Sequence, residues 1–135
     1  MKEIPTLLDI SPTNLLDLDE RDAYRHFFGK SLLEAQELFD QSDFYVNDLG
    51  WMGESAFEFY IEAYIKHLDG CDAGDLDIAV PMSLVIMRYS MFGQGLSLIE
   101  LIEKISGFRN SSIQGDKSLE KKYDDIVRQL LMGSE

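Results

Sequence analysis

Cysteine is nearly missing from this chain, and Cys71 alone has no internal disulfide to form. The only histidines are His26 and His67, and they supply none of the paired ligand spacings of a structural zinc site. No cofactor or metal is therefore expected, and a reducing cytoplasm is the expected location. Cys71 has no activating neighbour in sequence and reads as a packing or loop residue. Long apolar runs are missing too. The stretches 61–65 and 78–86 fall well short of the about 20 residues that a membrane helix requires, so no membrane partner is expected. Residues 1–5 lack the charged start and apolar run of a secretory signal. Sustained alternation of apolar and polar residues is absent, as is an Asn-Gly or Asp-Gly turn between strand-like segments.

Basic side chains are scarce: 12 Lys and Arg stand against 25 Asp and Glu, for a net charge of -13. Residues 1–81 hold 5 basic and 18 acidic groups, whereas residues 82–135 hold 7 of each, so the whole excess lies in the first part. A field of this sign repels phosphate, and direct nucleic-acid binding is not expected. The same field attracts a basic protein surface and speeds encounter with it. It also keeps the chain soluble without any partner.

What is present is enough apolar material for one core. With 135 residues, 45% of them apolar, the chain is expected to form a single domain over 1–135. Residues 1–19 read as an irregular arm: Pro5, Pro12 and the turn cluster Ser11 to Asn14 interrupt it, and Leu7, Leu8, Leu15 and Leu16 are expected to pin it. A short helix follows over 20–28 and stops at Gly29. Ser31 and Glu34 have the spacing of a capping box and open a helix to Asp40. Residues 44–49 read as a turn or helical stub, and Trp51, in Gly50-Trp51-Met52-Gly53, as the anchor of a bend. Phe57, Tyr60, Ile61, Tyr64, Ile65 and Leu68 recur at three and four residues, which predicts a long helix over 55–68. Pro81 suits the first turn of a helix running to Phe92, expected to be central because its apolar residues occupy more than one side. Helices over 97–106 and from Ser118, the last with Ile126, Val127, Leu130 and Leu131 buried, complete an all-α fold. About six helices in an irregular or orthogonal bundle are expected.

Motifs for chemistry fail at identifiable positions. Aligning Asp69 with the first position of an EF-hand puts Gly74 correctly at the sixth, but Cys71, Ala73 and Val80 replace required ligands. Gly29-Lys30-Ser31 reproduces only the end of a phosphate-binding loop. Neither histidine stands three residues after a glutamate, as a di-iron helix would require. There is no Gly-x-Ser-x-Gly elbow and no His-Glu-x-x-His helix. His26 and His67 read as boundary residues, and no catalytic residue is assigned.

Charge placement supplies the candidate site. Glu54, Glu58 and Glu62 recur every four residues and fall on one helix face, continuing into Asp69, Asp72, Asp75 and Asp77. These seven carboxylates form the expected partner-binding surface, with Trp51 as an apolar anchor. In size and charge the chain resembles bacterial immunity proteins, which implies a noncatalytic inhibitor of a basic protein such as a nuclease toxin. Two other readings remain open. One is a helical adaptor or regulatory subunit whose Met82, Met87 and Met91 line an apolar groove. The other is a small metal protein or enzyme using the acidic loop 72–77.

Overall fold

The computed structural model describes residues 3–71, 78–92, 96–109 and 117–132. These residues are mostly helical, with no strand among them, so the fold class is all-α. No helix among them is long and apolar enough to cross a membrane. The chain falls into two compact units, Met1–Asp69 and Gly70–Glu135.

The first unit contains α1 (Leu7–Ile10), α2 (Leu18–Phe27), α3 (Leu32–Gln41), a 3-10 turn (Asp43–Tyr45), α4 (Val46–Trp51) and α5 (Glu54–Asp69). The second contains α6 (Ala79–Phe92), α7 (Leu96–Arg109) and α8 (Lys117–Met132). Among the described residues, eight α-helices therefore stand where periodicity predicts about six. The additions are short. α1 is one turn inside the supposedly irregular arm, held by a capping box in which Thr6 Oγ1 accepts from Asp9 N and Asp9 accepts from Thr6 N. α4, together with the 3-10 turn before it, falls where residues 44–49 read as a turn or helical stub; it has no side-chain cap and contains Gly50.

Ser31 does open α3: its hydroxyl accepts from Glu34 N at 3.2 Å, and Glu34 accepts from Ser31 N at 2.9 Å. Those bonds hold the Glu34 carboxyl below its ordinary range. α5 is the spine of the first unit and packs against α3, α1 and α4. Ala56, Phe57, Phe59, Tyr60, Ile61, Ala63, Tyr64, Ile65 and Leu68 are buried along it. Phe27, Phe39, Tyr60 and Tyr64 form a continuous aromatic core, with successive ring centroids 5.1 to 5.6 Å apart. The buried Tyr60 hydroxyl is aimed at two main-chain carbonyls, Phe27 O at 2.7 Å and Lys30 O at 2.9 Å. These carbonyls flank Gly29, whose φ of +78° only glycine adopts readily, so the tyrosine clamps the turn between α2 and α3. Burial pushes the Tyr60 phenol up to about 12.

Ile10, which is fully buried, is the deepest anchor of the arm; of its four leucines Leu7 and Leu15 are half-buried, while Leu8 and Leu16 are exposed. Asn14 and Leu15 are both left-handed, with φ of 57° and 69°. Asparagine tolerates this region, but for Leu15 it costs roughly 1–2 kcal/mol, so the conformation needs outside support. Glu20 supplies it, accepting from Ser11 Oγ (2.7 Å), Thr13 Oγ1 (2.7 Å) and Thr13 N (3.1 Å). Ser11 Oγ in turn accepts from Leu15 N, and Arg21 Nε donates to Leu15 O.

In the second unit α6 packs against both α7 and α8. Met82, Leu84 and Val85 from α6, Leu98, Leu101, Ile102 and Ile105 from α7, and Tyr123 and Leu130 from α8 are buried. Ile126 and Val127, expected in the buried stripe of α8, are half-buried, and the side chain of Leu131 lies outside those described. Tyr89 on α6 donates to Gln129 on α8 at 2.7 Å. Arg88 is also buried in this unit, a placement that nothing in its sequence neighbourhood signals.

Candidate functional site

Helical geometry gathers part of the expected acidic surface on α5. At 100° per residue, positions 54, 55, 58, 62, 66 and 69 fall within one arc. Glu54, Ser55, Glu58, Lys66 and Asp69 are exposed, and Glu62 is half-buried. Every other position of α5 is buried except His67, which is half-buried. The helix therefore has a narrow outward stripe and a wide apolar remainder. Glu54 lies in the first turn, where the positive end of the helix dipole favours a carboxylate. Lys66 breaks the acidic run, a feature the glutamate spacing alone obscures. It stands four residues after Glu62, the order that best supports a helix. Asp72, Asp75 and Asp77 lie outside the described residues.

Trp51 is the last residue of α4 and is half-buried, so its ring belongs to a helix end and not to a loop. The residue that plugs the core at this bend is its neighbour Met52, which is fully buried. Gly53 follows, and its N–H donates to Ile10 O at 3.3 Å. A Cβ at this position would stand 2.4 Å from Asp9 O and 2.9 Å from Pro12 Cγ, so the close approach of α1 to the start of α5 requires glycine. This junction fixes the direction in which Glu54 and Glu58 leave the first unit.

Both histidines are tied to aspartates on other elements. His26 Nδ1 on α2 stands 2.7 Å from Asp48 Oδ2 on α4, and the His26 ring meets Phe44 and Tyr45 edge-on. His67 Nδ1 on α5 stands 2.7 Å from Asp40 Oδ1 on α3, with Tyr64 stacked nearby. Asp48 is 5% exposed, the one buried carboxylate residue among those described. Desolvation pushes its carboxyl above the ordinary value of 3.8, opposed by the hydrogen bond and charge of His26. A histidine oriented by an aspartate is half of a general-base arrangement; here each pair bridges two helices beside aromatic rings. Sequence places these partners 22 and 27 residues apart, so only the folded chain reveals them.

The methionines expected to share a groove differ in setting: Met82 is buried, Met87 half-buried and Met91 exposed. Among the described residues no group of three or more His, Cys, Asp or Glu side chains is arranged to hold a metal ion. The structure thus defines the chain as an all-α protein with an acidic stripe on one helix of its first unit. Comparison with protein-family models, curated proteins and solved structures finds no match.

Proposed function

We propose that this chain is a noncatalytic binding protein, built as an irregular helical bundle, whose acidic surface docks onto a basic protein in the manner of an immunity-type inhibitor. The observation that carries the reading is the α5 stripe: Glu54, Glu58 and Asp69 reach solvent from a helix whose remaining faces are committed to the core. Residues 1–69 hold 15 acidic and 5 basic groups, so the surrounding field reinforces the stripe. Charge steers the approach, and the half-buried Trp51 can add an apolar contact that slows release.

The test is to recover the partner from the native cell at low and high salt, identify it, and titrate the purified protein against wild type and a Glu58→Lys/Glu62→Lys variant. The expected partner is basic. Reversal weakens its binding by about tenfold and flattens the salt dependence, with the thermal melt little changed. A neutral or acidic partner, or an unchanged affinity, overturns the assignment.

A further inference from the structure

The first unit holds a second outward feature, formed by the turn into α2. Leu16 is 80% exposed and Leu18 is 71% exposed, the two most exposed of its large apolar side chains. A leucine pair in water is ordinarily a feature of loose chain, yet this segment is tightly restrained. The left-handed Asn14 and Leu15, the three bonds to Glu20, and the bond from Arg21 to Leu15 O fix the backbone immediately before Leu16. Asp17, between the two leucines, caps α2 by accepting from Asp19 N at 2.9 Å and Glu20 N at 3.1 Å. Strained backbone persists where the surroundings over-determine it, and such positions cluster at binding sites.

We infer that Leu16 and Leu18 form a preorganised apolar knob that packs against an apolar helix face flanked by Lys or Arg on a partner protein. Charge selects this occupant. Asp17 and Asp19 alternate with the leucines, Asp22 follows, and the unit around them has a threefold excess of acidic over basic groups. A second copy of the chain would bring another -13 charges to the contact, and an anionic lipid surface would be repelled in the same way. Basic flanks are attracted by the same carboxylates that repel those alternatives. The inference rests on the proposed binding of a basic protein and supplies its apolar contact.

The experiment is calorimetric titration of the full chain with a synthetic amphipathic Leu/Lys helical peptide, and with its Leu/Glu counterpart. Wild type is expected to bind the Leu/Lys peptide with NMR shift changes at residues 15–19. A Leu16→Ser/Leu18→Ser variant should lose about tenfold in affinity at an unchanged melting temperature. The inference is overturned if wild type does not bind, if the variant binds equally well, or if the Leu/Glu peptide binds as tightly. It is also overturned if the leucines instead drive self-association in sedimentation or attachment to lipid vesicles. The Glu58→Lys/Glu62→Lys protein separates the two readings. Weakening by that reversal together with no effect of the leucine changes leaves the acidic surface standing and removes the knob; no effect of either removes both.

Discussion

The Tyr60 hydroxyl shows how much structure can depend on one polar atom. Replacement by Phe keeps the ring among Phe27 and Phe59 but removes the group that faces Phe27 O and Lys30 O. Tyr60→Phe is expected to cost about 1–3 kcal/mol in urea unfolding, because carbonyls in and near the core lose a donor. Asp48 tests the opposite situation, a carboxylate for which burial is unfavourable. Its folded pKa is raised above the ordinary 3.8, so the stability linked to its protonation is fully present below that value. That stability is lost as pH rises through the folded pKa. Asp48→Asn retains an oxygen acceptor for His26 and removes the titration. The stability of this variant relative to wild type should therefore be most favourable near neutral pH and fall on acidification towards 3.8, read from urea midpoints across that range. A flat difference would show that burial of Asp48 has no energetic consequence.

At the scale of elements, local signals and contacts across the fold divide cleanly. The capping box of α3 lies within four residues, and Ser31→Ala is expected to cost about 1 kcal/mol in thermal or urea unfolding. The long apolar periodicity of α5 places that helix within one residue at each end, 55–68 against 54–69. The carboxylate ladder is legible for the same reason, since helical spacing decides which residues share a face. What sequence does not reveal depends on meetings between distant segments. The glycines around Trp51 suggest a loop, yet Gly50 is buried within α4, and only Gly53 is required by a close approach. The partners that define that approach, Asp9 and Pro12, lie more than forty residues earlier in the chain. Gly53→Ala should therefore be costly, about 1–3 kcal/mol, because backbone oxygen on α1 has to move for the new methyl to fit. Urea unfolding that matched wild type would show the junction to be loose. The leucines of the arm mislead by composition alone: an apolar type predicts burial, while the restrained turn leaves Leu16 outside.

Across the whole molecule, acidity is concentrated but not confined. Residues 1–69 hold 15 acidic and 5 basic groups, and residues 70–135 hold 10 and 7. Mutual repulsion of this kind weakens the compact state and is screened within a Debye length of about 10 Å at 0.1 M salt. Sodium chloride added from low ionic strength should raise the melting temperature, most clearly at neutral pH and less near the pI of 4.4. A melting temperature indifferent to salt would mean that the carboxylates are far enough apart not to interact. Trp51 has a use here that is independent of any partner. It is the only tryptophan in the chain, and it stands half-buried at the end of α4. Its emission is therefore a built-in optical probe of the first unit, while far-ultraviolet dichroism sums over the helices of both units. Superimposable denaturation curves from the two signals would mean that the chain melts as one cooperative body; separated curves would resolve the stability of each unit without cutting or labelling the protein.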